Sequence, residues 1–396
     1  MTQPTGKRLY EIDFLKGLAC YLMLFGHALR ARSVGLDELA FVHKIILYVM
    51  DFSGPMFFIA SGMNVCIFWD RSRKKEGFAV TKFYLAQAVV LFVLGYTYNL
   101  SIASLFIFHG APDIFQGVAV CTAFVFLITR FRSNAIVYLV VAVAMYAIYL
   151  PVRMKIDPTG ETLKAMPFLQ RQLFAHFSIF PWVVFFLIGA AIHRTQGKWE
   201  WAMAALLGGM VIASVFLPQA YFGDIYQLVF RGVPSYVMQT GGVAGLLFLL
   251  MRHVYKGGGK SKILRALEFA GVESFMFLIL HYFLIVLSFP FPFGKEITPL
   301  HMYIRGVAII VGTALLMPRF VRWRDRVSQQ DGFVKKAFWM LGIFFALSLV
   351  ISAAGPAGFF IGRLLAFVSA FSFAFVFGPV RQRLREKYTK IDARQT

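Results

Sequence analysis

Apolar runs of about twenty residues recur from one end of this chain to the other, and an α-helix needs that length to cross a bilayer. Twelve runs qualify: 10–30, 44–69, 80–99, 114–130, 134–152, 177–193, 199–218, 234–251, 267–289, 301–318, 335–354 and 357–378. The second is interrupted by the polar stretch Asp51–Ser53 and by Pro55, and residues 100–113 suit a re-entrant or interfacial segment. The expected fold is therefore all-α, a polytopic integral membrane helix bundle of twelve spans, or eleven if 100–113 is re-entrant. Composition agrees. The 396 residues are 59% hydrophobic and 15% charged, against about 25% charge in an ordinary soluble domain. Disorder is excluded by that apolar content.

The chain carries 40 Lys and Arg against 19 Asp and Glu. A basic excess suits either a nucleic-acid-binding face or the cytoplasmic loops of a membrane protein. Placement decides between them. With a cytoplasmic N-terminus, 28 basic residues fall in inside segments and nine in outside segments, while Lys16, Arg305 and Arg363 lie within spans. That asymmetry is the positive-inside pattern, so no nucleic-acid partner is expected and both termini should be cytoplasmic. Residues 1–396 read as a single transmembrane domain ending in a basic cytoplasmic tail, 379–396. No cleavable signal peptide is expected, because the first run contains Asp13, Lys16 and His27 and no cleavage site follows it. Cys20, Cys66 and Cys121 all lie in apolar runs without metal or disulfide spacing, so no metal site is expected. The glycines of VYKGGGKSK (254–262) lack the first Gly of a phosphate loop and suit a flexible basic linker.

Ionisable residues inside a span cost roughly 2.5–3.5 kcal/mol each and point to function. On a helix turning 100° per residue, Asp13, Lys16 and His27 share one face, with His27 about 16 Å beyond Lys16 along the axis. Such a stripe must face protein or a watery cavity. The alternative is an Asp13–Lys16 pair satisfying itself at the interface, with His27 bonded to a neighbouring helix.

Around these residues the sequence resembles the transmembrane acyltransferase superfamily, which includes the acyltransferase-3 proteins and bacterial relatives of heparan-α-glucosaminide N-acetyltransferase. RLYEIDFLKGLACYLMLFGH (8–27) resembles their first span, with Lys16-x10-His27 as the basic-x10-His motif and Asp13 preceding it. PMFFIASGMNV (55–65), HFSIFPWVVFFLIGAAI (176–192) and GVESFMFLILHYFLIV (271–286) are similar to three later spans, in the same order. Three positions depart from the pattern: Lys16 stands for Arg, Phe180 for Leu, and Tyr282 for a polar residue. Arg binds phosphate as a bidentate fork, whereas Lys supplies a point charge.

The resemblance implies an acyltransferase of the bacterial inner membrane. It would move an acyl group, usually acetyl, from cytosolic acyl-CoA to a hydroxyl or amine of a glycan or lipid-linked sugar at the outer side. Acyl-CoA is then a co-substrate rather than a bound cofactor, and the partners are membrane lipids, acyl-CoA and the acceptor. Removing the acceptor's proton needs a base, a role that suits His27, and a ping-pong route would acylate His27 itself. Asp13 joins it as a catalytic candidate. Lys16, Arg71, Arg73, Lys74 and Lys75 offer charge to the phosphates of acyl-CoA, although positive-inside anchoring accounts for the cluster equally well.

His109 and Asp113 fall at an outer membrane edge, where they suit orientation of the acceptor, or an ordinary turn with Asp113 as a helix cap. Ser61 and Asn64 suit hydrogen bonds within the bundle. Glu273 and His281 form a second polar stripe, with His281 expected as a core histidine. Arg305 is expected to pair with a carboxylate, Glu273 being a candidate. The competing reading is a twelve-helix secondary transporter of a small solute. Against the two-half form of that fold, the link between the sixth and seventh runs is only about HRTQGK (193–198).

Overall fold

The computed structural model describes residues 9–30, 41–72, 77–102, 114–132, 134–155, 179–195, 197–217, 233–256, 261–287, 299–328, 332–352, 361–362, 364–369 and 371–372. Among the described residues there is no strand; thirteen helices follow in order, with further helical residues at 361–362, 364–369 and 371–372. They are α1 (Tyr10–Arg30), α2 (Phe41–Met50), α3 (Ser53–Ser72), α4 (Gly77–Ile102), α5 (Ile114–Phe131), α6 (Ala135–Lys155) and α7 (Ile179–Arg194). The remainder are α8 (Lys198–Phe216), α9 (Pro234–Lys256), α10 (Lys262–Val272), α11 (Ser274–Leu287), α12 (Pro299–Ser328) and α13 (Phe333–Ser352).

Among the described residues six stretches are long and apolar enough to cross a membrane: Tyr10–Leu29, Ile45–Arg71, Ile114–Phe131, Trp199–Phe216, Pro234–Lys256 and His301–Ser328. Shorter apolar helices cover Val80–Tyr96, Ala135–Pro151, Ile179–Arg194 and Ser274–Ile285. The chain is thus a multi-pass helical membrane protein.

Three expected spans have different bounds. The second is broken by a turn at Asp51–Phe52 into α2 and α3, at the polar interruption. The run 267–289 is broken at Glu273, whose φ of −96° and ψ of 24° separate α10 from α11. The run 301–318 continues as helix to Ser328. Arg319, Arg322 and Arg326 face outward on this extension while Val321 and Arg324 pack inward, an amphipathic spacing that sustains it. The segment 103–113 and the tail 379–396 lie outside the described residues.

The chain forms two compact units. The first comprises Met1–Ile67, Ile128–Lys155 and Phe180–Leu315, and the second Phe68–Leu127, Ile156–Ile179 and Leu316–Thr396. In the first unit α1 packs against α10, α11, α9 and α2, and α8 lies along α9. Pro181–Ile192 of α7 is buried without interruption, as expected of a helix apolar on every side.

Among the described residues, glycines set the two tightest backbone crossings. A side chain on Gly17 would strike the Leu267 carbonyl, and one on Gly271 the Asp13 carbonyl, so α1 and α10 meet backbone to backbone. Gly62 of α3 and Gly189 of α7 face the carbonyls of Phe186 and Ile59 in the same way. Small residues at such contacts let membrane helices approach closely, where dispersion rather than water drives association. In the second unit aromatic rings do the packing: Tyr84 stacks on Phe126 at 4.3 Å, with Phe68 and Trp69 edge-on to them.

Contacts define two ends of the first unit. At one, Tyr10 stacks on Tyr255 (6.0 Å) and Arg252 of α9 bonds Glu200 of α8 at 2.5 Å. At the other, Leu29, Leu47 and Met302 form a buried cluster, and the Tyr236 hydroxyl donates to the Asp51 carbonyl at 2.8 Å.

Candidate active site

α1 is continuous from Tyr10 to Arg30, so its polar stripe is laid out by helix geometry alone. Asp13 and Lys16 stand on its first turns, near the Tyr10–Tyr255 end. His27 stands about 21 Å from Asp13 along the axis, near the Leu29–Leu47–Met302 end. The two residues expected to share catalysis therefore occupy opposite ends of one helix.

What meets His27 is α11. Beyond the Glu273 break, α11 runs beside α1 in the same direction: Tyr21 meets Phe277 edge to face at 5.0 Å, and one to two turns on His27 meets His281. The two imidazoles lie edge to edge and nearly coplanar, with centroids 5.5 Å apart and planes at 16°. Nδ1 of His27 lies 3.2 Å from Nε2 of His281, and Nδ1 of His281 lies 3.0 Å from the Phe277 carbonyl. His281 has no exposed surface, while His27 is half-buried.

The hydrogen-bond pattern assigns the protons. A carbonyl only accepts, so Nδ1 of His281 carries a hydrogen and donates it to Phe277. In the neutral ring Nε2 of His281 is then an acceptor, so Nδ1 of His27 is the donor between the rings. Neutral His27 must therefore carry its lone pair on Nε2. A second group that fixes the tautomer and orientation of a histidine is what general-base sites use. When Nε2 takes up a proton, His27 keeps its Nδ1–H bond to His281, and no proton has to move between the rings.

The remaining candidates separate into groups. Lys16 places its ammonium 5.6 Å from the centre of the Phe57 ring, a cation–π contact within the first unit. Ser61 donates to the Phe57 carbonyl one turn back at 2.8 Å, and Asn64 is half-buried one turn further along α3. Glu273 caps α10, its backbone N–H bonding the Phe269 carbonyl at 3.1 Å. Arg305 donates to the Ile285 carbonyl at 3.5 Å. Ile285 is about 18 Å along α11 from Glu273, which corrects the expectation that Glu273 partners Arg305. Arg71 ends α3, half-buried, in the second unit. Arg73, Lys74, Lys75, His109 and Asp113 lie outside the described residues. Among the described residues no three His, Cys, Asp or Glu side chains are grouped to hold a metal ion.

Sequence reading missed the contact between His27 and His281. Its only signal was that each histidine stands alone within an apolar span.

The family model described as heparan-alpha-glucosaminide N-acetyltransferase, catalytic, matches residues 8–224, more than half of the chain. The matched stretch contains Asp13, Lys16, His27, Ser61 and Asn64, and His281 lies beyond it. No curated protein matches the chain.

Proposed function

The chain belongs to the heparan-alpha-glucosaminide N-acetyltransferase catalytic family, an acetyltransferase family, and from that premise we propose that His27 is the general base of a membrane-embedded acetyl transfer. The donor in this reading is cytosolic acetyl-CoA. The acceptor is a hydroxyl or amine of a glycan or lipid-linked sugar on the far side of a bacterial inner membrane. One observation carries the reading: the Phe277 carbonyl, His281 and His27 form a hydrogen-bonded line that leaves the lone pair on Nε2 of His27.

The chemistry follows from that nitrogen. Nε2 takes the proton of the acceptor as its oxygen or nitrogen forms a bond to the thioester carbonyl carbon. The resulting imidazolium keeps its Nδ1–H bond to His281, which itself donates to Phe277. Collapse of the tetrahedral intermediate breaks the carbon–sulfur bond, and the Nε2 proton leaves with the thiolate as free coenzyme A. The same nitrogen is also the nucleophile that a ping-pong route would acylate. Asp13 and Lys16 stand at the end of α1 where the positive-inside pattern puts the cytoplasm. Their place in this reading is on the donor's approach, with Lys16, Arg71, Arg73, Lys74 and Lys75 offering charge to its phosphates.

The test is purified protein in proteoliposomes with radiolabelled acetyl-CoA and a membrane glycolipid extract. Label in a glycan or lipid fraction, lost in His27→Gln, supports the reading. Movement of an unmodified solute across the vesicle without label transfer would replace it with transport.

A further inference from the structure

The apolar run of α12 ends at Pro318, yet the helix continues to Ser328 as RFVRWRDRVS (319–328). One side of this extension is packed: Phe320 stands edge-on to Phe371 at 5.4 Å, and Val321 and Arg324 are buried. The other side is exposed and carries Arg319, Arg322, Trp323 and Arg326. At 100° per residue these four fall within an arc of about 100°, over about 10.5 Å of helix axis. The carboxylate of the extension does not offset their charge. Asp325 is already engaged by Arg324, whose Nε and Nη2 donate to its Oδ1 at 3.0 and 2.9 Å. Guanidiniums at i, i+3 and i+7 repel one another, and like charges one turn apart destabilise a helix. Folding gains nothing from such a face. It suits an anion outside the helix.

The residue type narrows the anion. Positive-inside placement is satisfied by Lys or Arg alike, but every basic residue of 319–328 is Arg, the side chain that meets phosphate oxygens with paired N–H donors. Arg322 donates from Nε to the Pro318 carbonyl at 3.2 Å, a bond that holds the guanidinium while its terminal nitrogens remain donors. The setting indicates what carries the phosphate. Trp323 stands among the arginines, and indole prefers the headgroup level of a bilayer. In the same compact unit α13 begins at Phe333, a short connection after Ser328. Its exposed face carries Lys336, then Trp339 and Met340, then Ile343, Leu347 and Val350, again within an arc of about 100°. Charge, indole and hydrocarbon in that order follow a phospholipid from headgroup to acyl chain. An acidic protein would match the arginines and leave the apolar stripe of α13 uncovered.

We propose that Arg319, Arg322 and Arg326, with Trp323 among them, bind the headgroup phosphate of an anionic phospholipid in the leaflet that this end of α12 reaches. The site is independent of the acetyl-transfer reading.

The experiment is native mass spectrometry of the full chain in neutral detergent, titrated with phosphatidylglycerol or with phosphatidylcholine of the same acyl chains. Phosphatidylglycerol should bind the more tightly. Replacing Arg319, Arg322 and Arg326 together by Gln should weaken its tightest binding by about tenfold or more. The melting temperature of that variant in lipid-free detergent should hold or rise, because mutual repulsion on the helix is relieved. Lys256, Lys262 and Arg265, exposed on α9 and α10, supply a charge-matched control: their joint replacement by Gln should leave the tightest binding unchanged. Glycerol 3-phosphate and oligoglutamate, a free headgroup and an acidic peptide, should not displace the lipid. Should the triple variant fail to purify, Arg322→Gln alone decides, with an expected loss of about threefold. Equal binding of phosphatidylcholine, an equal loss in the control, no loss in the arginine variant, or displacement by either competitor overturns the proposal.

Discussion

His27 on α1 and His281 on α11 are 254 positions apart in the chain and 3.2 Å apart at their facing nitrogens. Because the far nitrogen of His281 is engaged by the Phe277 carbonyl, the pair is directional: in the proposed reading His281 orients and His27 acts. A symmetric histidine pair would leave open which ring serves as base. The burial difference points the same way, since His281 is sealed and His27 is half-buried.

His27→Ala should therefore lower acetyl transfer by 10²–10⁴-fold, the usual contribution of a general base, with expression and melting temperature close to wild type. His27→Gln retains a hydrogen bond to His281 but has no basic nitrogen, so it should fail too. Near-full transfer by His27→Gln would make the residue structural.

His281 should behave as a positioning residue. His281→Phe keeps volume and burial but removes the acceptor for the His27 Nδ1–H, freeing His27 to adopt the other tautomer. The expected result is a fall in kcat with both KM values nearly unchanged. A KM effect without a kcat effect would place His281 in substrate binding instead. His281→Gln, whose amide oxygen still offers an acceptor, should recover part of the lost kcat.

The helices were legible because a span must be about twenty apolar residues long, and that constraint is written in the chain without reference to tertiary structure. Asp51–Ser53 and Pro55 announced the break between α2 and α3. The break at Glu273 had a weaker signal, Gly271 and the pair Glu273–Ser274 without a proline, and one residue at φ −96° and ψ 24° suffices to make it. His27 stood out as a titratable group inside a span, whereas its partner was hidden: α11 is apolar at nearly every other position, and nothing along one helix names the helix beside it.

Membrane orientation is testable apart from chemistry. Reporter fusions after Lys75 and Arg326 should read cytoplasmic, and fusions near Gly160 and Lys295 should read external, following the basic residues. A cytoplasmic signal at Gly160 would invert the charge-based assignment and with it the side from which the donor arrives.

On the donor side, replacing Arg71, Arg73, Lys74 and Lys75 together by Gln should raise the KM for acetyl-CoA several-fold, with a smaller effect on the acceptor. Screening should mimic the change, because surface charge weakens with ionic strength. Unchanged donor kinetics in a correctly inserted variant would leave the cluster as an anchor.

The glycines separate packing from catalysis. Gly17 and Gly271 lie where α1 and α10 touch backbone to backbone, and an added methyl at either would meet a carbonyl on the facing helix. Backbone cannot swing aside as a side chain does, so Gly17→Ala or Gly271→Ala must push the helices apart and disturb α11 above the crossing. Overpacking of this kind costs typically 1–3 kcal/mol, and the His27–His281 contact should loosen with it, so both melting temperature and kcat should fall. Gly208 and Gly209 on α8 supply the control: nothing lies within 4 Å of a side chain placed there. Alanine in a helix interior is better than glycine by about 1 kcal/mol, so Gly208→Ala should hold or raise the melting temperature and leave transfer unchanged. If Gly271→Ala proved as harmless as Gly208→Ala, the close crossing of α1 and α10, and the alignment of α11 that depends on it, would be wrong.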